Sequence, residues 1–392
     1  MKLLFAFCSF AFFALLAPAQ PTKVFSVPPG ALAKARTNES AVQPALKKLI
    51  SDANKALLQK PFSVMDKPKT WPGIDKHDYF STAPYFWPDP AKPEGLPYVR
   101  KDGRRNPESS NENSDSSRMG RIMSSAETLA LAYYFKNDEV HAEHAARLLR
   151  VWFIARETRM APNLDHAQAI PGVNTGRGIG MIESRSLTSA CDAVALLRGS
   201  KAWSKADDDA FTQWMRAFLE WAQTSKNGHD EAAAKNNHGV YYDMQVTHFA
   251  LFVGETNLAR RIVEEAKTKR IAAQIEPDGS QPLELAREDS FAYSRFNLQA
   301  MFELALLGEH IGVDLWQYES PKGASIRKAF DYLVPFVEDR KKPWPYERSK
   351  KTERSLGGLP RRALAVYYDE RYRKLIEKNS GTSRDAMFWP VK

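Results

Sequence analysis

The feature that most constrains the fold is a long succession of helix-type apolar patterns after about residue 115. Apolar residues recur at spacings of three and four, as at Leu148, Val151, Trp152 and Ala155, and this spacing places them on one face of a helix. Short gaps that carry Gly, Pro, Asn or Asp separate the patterns. The predicted helices span residues 41–58, 121–135, 140–154, 183–198, 207–224, 240–253, 257–271, 291–311, 324–337 and 360–376.

Neither strand-type alternation nor a repeat of fixed length stands out in the sequence. Consecutive antiparallel helix pairs in this number indicate an α/α toroid or an α-solenoid, and the lack of a fixed repeat favours the toroid. The prediction is therefore an all-α protein, an incomplete (α/α) barrel with a long aromatic-rich loop. No change in composition marks a second domain, so residues 20–392 are expected to form one domain.

The first 19 residues have the pattern of a secretory signal peptide. Lys2 precedes an apolar run from Leu3 to Leu16, and Ala17-Pro18-Ala19 provides the small residues of a cleavage site. The apolar run is shorter than the roughly 20 residues that a membrane-spanning helix needs. The sequence thus predicts an exported protein, periplasmic or secreted, with no membrane attachment after cleavage.

The cysteine content and the net charge indicate whether disulfides and which class of binding partner are expected. The cysteines are Cys8 and Cys191, and the first leaves with the signal peptide, so no disulfide framework is expected. The formal net charge of +9 favours polyanionic partners. The sequence has no recognisable nucleic-acid-binding module and no long Lys/Arg block. An acidic polysaccharide is therefore the predicted partner, and nucleic acid is not.

Residues 61–110 are rich in Pro, Trp, Tyr and Gly and show little periodicity. An ordered loop of this length is uncommon unless it is functional, and exposed aromatic rings are suited to a sugar-binding cleft. Most of these rings are expected to be buried and to pin the loop. Tyr79, Tyr85 and Trp87 are the predicted walls of sugar subsites.

The stretch from Lys235 to Asp243, K-N-N-H-G-V-Y-Y-D, concentrates two amides, an imidazole, two phenols and a carboxylate. Gly239 is expected to allow an unusual backbone turn there. A helix-like apolar pattern follows, so the cluster lies where a loop enters a helix, and side chains at such a position can face a cleft. In the alternative interpretation its asparagines only cap the helix, which explains one Asn but not the whole cluster.

Two further polar, glycine-rich segments interrupt the helices, at residues 168–185 and 276–295. The first offers Arg177 and Arg185 for a cleft, although Arg185 and Glu183 are equally suited to pairing with each other. Its G-R-G-I-G has no preceding strand and no following Lys-Ser/Thr, so nucleotide binding is not predicted. Because no metal-binding framework and no G-x-S-x-G motif occur, neither a catalytic metal, nor another cofactor, nor serine chemistry is predicted.

Taken in order, these segments resemble the alginate lyase domain of polysaccharide lyases. The resemblance is carried by S-T-A-P-Y-F-W-P-D-P, N-x-G-R-x-x-G-x-I-E-S-R, N-N-H-G-x-x-Y and R-E-D-S-F-A-Y-S, between about residues 60 and 340. It implies an (α/α) toroid that cleaves a uronate polymer, alginate or a relative such as glucuronan, by β-elimination. By position it assigns catalysis to the pair Asn237 and His238, to Arg287 and to Tyr293.

β-Elimination makes independent demands on such a site. Loss of the C5 proton places a second negative charge beside the uronate carboxylate, so that carboxylate must be neutralised and hydrogen-bonded. Asn237, with His238 or Arg287, supplies suitable donors. Tyr293 can serve as base at C5 and acid at O4 if Arg287 and Arg295 lower its pKa. One phenol suffices where proton and leaving group share a face, as in mannuronate; for guluronate or glucuronate, where they need not share a face, His238 is the natural second base.

Other interpretations of these residues stay open. Tyr293 could be a core aromatic on a helix face with Phe291 and Phe296. The protein could be a glycoside hydrolase that uses a carboxylate pair, or a non-catalytic polysaccharide-binding protein. Carboxylates available to a hydrolase are Glu183, Asp243, Glu284, Glu288 and Asp289. The predicted substrate-binding residues are Asn236, Tyr242, Arg185, Arg177, Tyr79, Tyr85, Trp87 and Arg295.

Overall fold

The computed structural model describes residues 23–68, 71, 73–339, 341–346, 348, 354–378 and 383–390. The predicted signal peptide at residues 1–19 lies outside this part of the chain. Within the described ranges, no helix combines the length and the apolar character that crossing a membrane requires.

Helices form at each of the predicted positions, and the all-α prediction is confirmed. Two predicted helices, 324–337 and 360–376, are each two helices in the structure. The second is divided because Tyr368 adopts a left-handed φ of 54° and ends the first of its two helices. The α-helices are Ala31–Thr37 (α1), Gln43–Ala56 (α2), Asp115–Lys136 (α3), Glu139–Leu149 (α4), Leu187–Leu197 (α5), Lys205–Thr224 (α6), Lys226–Ala232 (α7), Asn237–Val253 (α8), Thr256–Ala266 (α9), Ala272–Gln274 (α10), Pro282–Leu285 (α11), Ser290–Glu309 (α12), Ile326–Leu333 (α13), Pro335–Glu338 (α14), Leu359–Tyr367 (α15), Arg371–Lys378 (α16) and Asp385–Phe388 (α17).

Some helical segments depart from α geometry where the sequence pattern predicted continuous helices. The predicted helix 183–198 begins as a 3₁₀ segment. Helices α4 and α9 each continue at their C-terminal end as a π-helical turn. The 3₁₀ segments are Glu39–Val42, Val64–Asp66, Pro107–Ser109 and Gly178–Ser186, and the π-helical segments are Arg150–Ile154 and Lys267–Ile271.

The helices pack as two layers, as predicted for a toroid. Helices α3, α5, α8 and α12 contact one another in that order and form the more buried layer. Helix α4 packs on α3 and α5, α6 on α8, α9 on α8 and α12, and α13 on α12. The C-terminal helix α17 packs against α1 and α2, so the two ends of the described chain meet.

Helix α8 is the central element of the buried layer. All of its residues except His238 are buried, which is typical of a helix surrounded by protein on every side. Asn236 caps its start, where the side-chain oxygen accepts a hydrogen bond from the His238 backbone nitrogen at 3.3 Å. Gly254, with a φ of 88°, ends it. The Asn-His pair therefore lies in the first turn of a rigid, buried helix.

Short strands organise the aromatic-rich loop, and the sequence pattern did not predict them. β1 (Phe80–Thr82) pairs in parallel with β4 (His166–Ala169), while β2 (Phe86–Trp87) pairs antiparallel with β3 (Val99–Arg100). Each is at most four residues long, too short for an alternating pattern to be visible. The β2–β3 hairpin places residues 84–105 near the beginning of α12.

Candidate active site

A cleft of about 1010 Å³ opens beside the start of α8 and the start of α12. The β2–β3 hairpin, the 3₁₀ segment Gly178–Ser186 and the chain at 234–238 form its other walls. All three polar segments recognised in the sequence thus contribute to one cavity. Predicted site residues among its lining are Tyr85, Arg177, Arg185, Asn236, Asn237, His238, Arg287, Tyr293 and Arg295.

Tyr293 and Arg287 are in direct contact in this cleft. Tyr293 lies in the first turn of α12, whereas Arg287 precedes that helix. The Arg287 Nη2 donates a hydrogen bond to the Tyr293 hydroxyl at 2.8 Å, and the guanidinium carbon lies 3.7 Å from the ring centroid. The Tyr85 hydroxyl, from the hairpin, is also 2.8 Å from the Tyr293 hydroxyl. Tyr293 is therefore a cleft residue with a bonded phenol, rather than only a core aromatic.

The pKa of Tyr293 is raised, whereas the role predicted from the sequence required a lowered pKa. Burial and the hydrogen bond with Tyr85 raise its pKa above the ordinary value of a phenol, and these effects exceed the lowering by Arg287. The condition of a lowered pKa is therefore not met, although the charge of Arg287 acts in that direction. Arg295 lines the cleft, but its guanidinium donates to the Ser355 carbonyl oxygen at 3.3 Å. Tyr293 therefore rests as a neutral phenol.

Asp102 holds the Arg287 guanidinium from the hairpin side. Arg287 donates through Nε to Oδ2 at 3.3 Å and through Nη2 to Oδ1 at 3.0 Å. Partial burial raises the pKa of the Asp102 carboxyl, but Arg287 and Arg100 lower it more, so the net shift is downward. A two-pronged contact of this kind orients a guanidinium as well as pairing its charge.

Asn237 lines the cleft, and its backbone and side-chain amides are hydrogen-bonded to Glu284. The Asn237 backbone nitrogen donates to Glu284 Oε1 at 2.7 Å, and its Nδ2 lies 3.0 Å and 2.8 Å from the two carboxylate oxygens. The Asn237 Oδ1 is buried and has no hydrogen-bond partner among the described residues. Burial raises the pKa of the Glu284 carboxyl, while the hydrogen bonds from Asn237 act in the opposite direction. Glu284 therefore determines which end of the amide points away from it.

His238 is held in a similar way by a second buried carboxylate. Its Nδ1 lies 2.9 Å from Glu231 Oε1, and Glu231 is 0% exposed. Its backbone is fixed by the start of α8. Both members of the Asn-His pair are thus oriented by an acidic residue from a different helix, Glu231 from α7 and Glu284 from α11.

Gly239 has a different role from the one predicted. It lies inside α8, so it does not make an unusual turn. A Cβ atom there would overlap the Ala234 carbonyl oxygen and the Arg270 guanidinium. Arg270 also bonds both oxygens of Asp243 at 2.7 and 3.0 Å. Gly239 and Asp243, both from the polar stretch Lys235 to Asp243, therefore support the site rather than face the substrate.

Basic side chains dominate the charged lining of the cleft. Arg177 donates to the Gln168 carbonyl oxygen at 3.1 Å and to its side-chain oxygen at 2.9 Å, and packs over Phe86. Burial and the neighbouring Arg100 lower the pKa of Arg177 to about 10, so it remains charged at neutral pH. Arg185 donates to the Ile182 carbonyl oxygen at 3.0 Å. The basic lining residues are Arg100, Arg105, Arg177, Arg185, Lys235, Arg287 and Arg295.

Two predicted substrate-binding aromatics, Tyr79 and Tyr242, are buried rather than exposed in the cleft. Tyr79 is 0% exposed, and its hydroxyl donates to Glu183 at 2.7 Å. Tyr242 is buried, with its hydroxyl bonded to the Ala222 carbonyl oxygen at 3.1 Å. Trp87 is half-buried, and its indole nitrogen donates to the Arg104 carbonyl oxygen at 2.8 Å. These rings pin their segments, as expected for the other loop aromatics.

The carboxylates that a hydrolase could use are largely engaged in other contacts. Asp243 pairs with Arg270 and Glu284 with Asn237, as described above, and Glu183 accepts hydrogen bonds from Tyr79 and from Ser81 at 2.6 Å. In the part of the chain that the structure covers, no group of three or more His, Cys, Asp or Glu side chains could hold a metal ion.

Sequence reasoning missed several residues that orient the site. Asp102 is 185 positions from Arg287 in the sequence, and no local pattern connects the two. Glu231 lies in the polar stretch before Lys235, and its seven-residue separation from His238 gave a weak signal. Gln168, with a φ of 51°, adopts a backbone conformation that is uncommon for residues other than glycine; no sequence signal indicated it.

Comparison with known proteins agrees with this geometry. The sequence profile of the family described as "Alginate lyase" matches residues 63–344. The crystal structure of an alginate lyase from Bacteroides ovatus has 39% sequence identity and a TM-score of 0.89, covering 94% of this chain and 100% of that chain. No curated protein matches the chain.

Two more distant structures share the fold. Alginate lyase A1-III from Sphingomonas species A1 has 17% identity and a TM-score of 0.55, covering 93% of this chain and 92% of that chain. A histidine-to-alanine variant of A1-III complexed with a tetrasaccharide has 16% identity and a TM-score of 0.56, covering 94% and 93%. The profile match over most of the chain and the 39% identity over nearly all of it show that this protein belongs to the alginate lyase family of polysaccharide lyases.

Proposed function

We propose that this lyase acts on alginate or a related polyuronate such as glucuronan, and that elimination occurs in the cleft around Tyr293. The observation that carries the proposal is the meeting of Tyr293, Arg287, Asn237 and His238 in one cavity with a strongly basic lining. The Bacteroides ovatus relative is described as an alginate lyase. A fixed set of charged donors around an anionic sugar is what elimination beside a carboxylate requires.

The basic lining supports binding of several consecutive acidic sugars. Cations on both sides of a cleft raise the local concentration of an anionic polymer and orient it along the groove. Arg177 and Arg185 lie on the 3₁₀ segment, and Arg100 and Arg105 lie on or beside the hairpin. A polymer with a carboxylate on every sugar satisfies such a lining better than one in which acidic and neutral sugars alternate.

The proposed roles follow from the contacts of each side chain. Arg287 neutralises and hydrogen-bonds the uronate carboxylate, which stabilises the negative charge that develops when C5 loses its proton. The C4–O4 bond then breaks as its electron pair leaves with O4 and a C4–C5 double bond forms. Tyr293, as a neutral phenol, is suited to donate its proton to O4.

Product analysis tests this function. The purified protein is incubated with mannuronate-rich and guluronate-rich alginate blocks, glucuronan and hyaluronan, and the ultraviolet absorbance of 4,5-unsaturated uronate is followed. We expect absorbance with at least one homopolymer of uronate and the slowest reaction with hyaluronan. Reducing ends without unsaturated product would mean hydrolysis, and binding without any product would mean a non-catalytic carbohydrate-binding protein.

We also propose that the protein is exported and that residues 1–19 are removed. The support is the basic residue, the short apolar run and the small residues before Gln20, and an extracytoplasmic location would bring the enzyme to an extracellular polymer. The mass of the protein recovered from a periplasmic or culture fraction tests it: the expected chain begins at Gln20. An intact chain retained in the cytoplasm would contradict the proposal.

A further inference from the structure

His238 is the single residue of α8 that is not buried, and its ring spans from the protein interior to the cleft. The side chain is 16% exposed, whereas the Glu231 carboxylate that contacts its Nδ1 is fully buried. The Nδ1 edge therefore faces the interior, and the opposite edge of the ring faces the cavity. No residue in the described ranges hydrogen-bonds the Nε2 atom.

The contact with Glu231 restricts which ring nitrogen carries the proton. An ionised carboxylate only accepts hydrogen bonds, so Nδ1 must donate at the observed distance of 2.9 Å. In a neutral imidazole with Nδ1 protonated, Nε2 has a free lone pair. That lone pair is the one basic site that the ring can present to a substrate in the cleft.

Burial raises the pKa of the Glu231 carboxyl, and its neighbours act in the opposite direction. Arg177 and Arg270 lie close enough for their charges to oppose the effect of burial, and His238 supplies a further favourable hydrogen bond. The second oxygen of Glu231, Oε2, is buried, and no residue in the part of the chain that the structure describes hydrogen-bonds it. Such a carboxylate depends strongly on its single side-chain donor, because an unpaired buried charge is costly.

The backbone between the two residues is also fixed. The Arg270 guanidinium donates to the Ala232 carbonyl oxygen at 2.8 Å and to the Ala234 carbonyl oxygen at 2.7 Å. These oxygens belong to the chain that connects Glu231 with the start of α8. The distance between the carboxylate and the imidazole is therefore set by a clamped segment, as expected where a catalytic group must be oriented.

We propose that Glu231 is a positioning residue that holds His238 in the Nδ1-protonated tautomer, so that Nε2 acts as the base that removes the C5 proton. The inference rests on the proposed function for its catalytic part. In the step, Nε2 takes the C5 proton, the C5–H electron pair forms the C4–C5 double bond, and the C4–O4 pair leaves with O4. Tyr293 donates its proton to O4, and solvent returns a proton to Tyr293 and removes one from His238.

The tautomer is measured directly, without substrate. Long-range ¹H–¹⁵N correlation spectra of protein labelled at its eight histidines distinguish protonated from unprotonated ring nitrogens, and the His238→Ala variant assigns the signals. We expect a protonated Nδ1 and an unprotonated Nε2 in the wild-type protein at the pH of maximal activity. A ring protonated at Nε2, alone or together with Nδ1, would overturn the proposal.

Two substitutions link the tautomer to activity. Glu231→Gln keeps the size of the side chain but can donate to Nδ1, so the protonated Nε2 form should appear and kcat should fall by about 10- to 100-fold, with KM changed less than about twofold. Glu231→Asp retains the charge and should restore the tautomer at least in part. If Glu231→Gln fails to fold, Glu231→Asp decides: a tautomer ratio and a kcat that are retained or lost together support the proposal, and lost activity with an unchanged tautomer ratio contradicts it.

A matched control separates this role from the general effect of removing a buried carboxylate. Glu127 in α3 is also buried and pairs with Arg384 at 2.8 Å, away from the cleft. Glu127→Gln should leave the His238 spectrum and kcat unchanged. A protein that shows the expected tautomer but makes no unsaturated product would keep the positioning role and refute the proposed function instead.

Discussion

Arg287 contacts Tyr293 in two ways: Nη2 donates to the hydroxyl at 2.8 Å, and the guanidinium carbon lies 3.7 Å from the ring centroid. The charge therefore acts on both the phenolic oxygen and the ring face. It does not make Tyr293 a phenolate, because burial and Tyr85 raise the pKa of Tyr293 more than Arg287 lowers it. The arrangement favours a proton donor whose deprotonated form is stabilised after the proton has left.

The Tyr293→Phe substitution tests the phenol. It removes the proton that is transferred to O4 but keeps the ring, so elimination should fall by about 100-fold or more while the thermal unfolding temperature changes little. The rate is measured from the ultraviolet absorbance of the unsaturated product. Tyr98→Phe is the control, since Tyr98 bonds Glu108 outside the cleft. Full activity of Tyr293→Phe would refute the assigned role.

Asp102→Asn tests the orientation of Arg287. The amide can accept one hydrogen bond from the guanidinium but does not carry the charge that fixes both nitrogens, so kcat/KM should fall about tenfold. The control is Asp89→Asn on the same hairpin, because Asp89 accepts from the Ala91 backbone and does not line the cleft. Equal kcat/KM in both variants would show that Asp102 does not position Arg287.

Glu284→Gln tests the orientation of the Asn237 amide. The new side chain has one acceptor oxygen, and its NH₂ group would oppose the NH₂ group of Asn237, so the Asn237 amide must rotate. We expect kcat/KM to fall at least about tenfold, and Glu284→Ala to destabilise the fold by about 1–3 kcal/mol as well. The exposed Glu276→Gln provides the control. Retention of wild-type kinetics by Glu284→Gln would argue against this role of Glu284.

The pair Arg150 and Asp207 predicts a loss of stability in acid. Asp207 accepts from Arg150 Nε and Nη2 at 2.8 and 2.7 Å and caps α6 through Ser204. The hydrogen bond with Arg150 is the main cause that lowers the pKa of Asp207 from 3.8 to about 2. A lowered folded-state pKa stabilises the fold above pH 4, and this contribution disappears as the pH falls from about 4 to about 2.

Asp207→Asn should therefore reduce the free energy of unfolding by about 2 kcal/mol at pH 7 and have little effect near pH 2. Urea unfolding at several pH values measures the difference between variant and wild type. Other groups titrate in both proteins, so their contributions cancel in this difference. One such group is Asp115, whose pKa is raised by burial to about 6. Asp209→Asn, in an exposed pair, should cost less than about 0.5 kcal/mol. A pH-independent difference for Asp207→Asn would contradict the assignment.

The sequence alone determined the helices, the fold class and the four residues Asn237, His238, Arg287 and Tyr293 as candidates. Helix periodicity is a local property, so the positions of the longer helices could be predicted from it, whereas the short helices α7, α10 and α11 were not predicted. The resemblance to alginate lyases was visible because its motifs are contiguous. Export and the mature N-terminus are also local signals, and they stay predictions.

Tertiary structure decided how the site is oriented and protonated. Asp102 reaches Arg287 across 185 positions, and Glu284 reaches Asn237 across 47 positions; packing of separate elements creates both contacts. The pKa of Tyr293 depends on its burial and on Tyr85, neither of which a sequence pattern contains. Only the folded chain buries some aromatic rings and turns others towards the cleft, because burial is a property of three-dimensional packing rather than of composition.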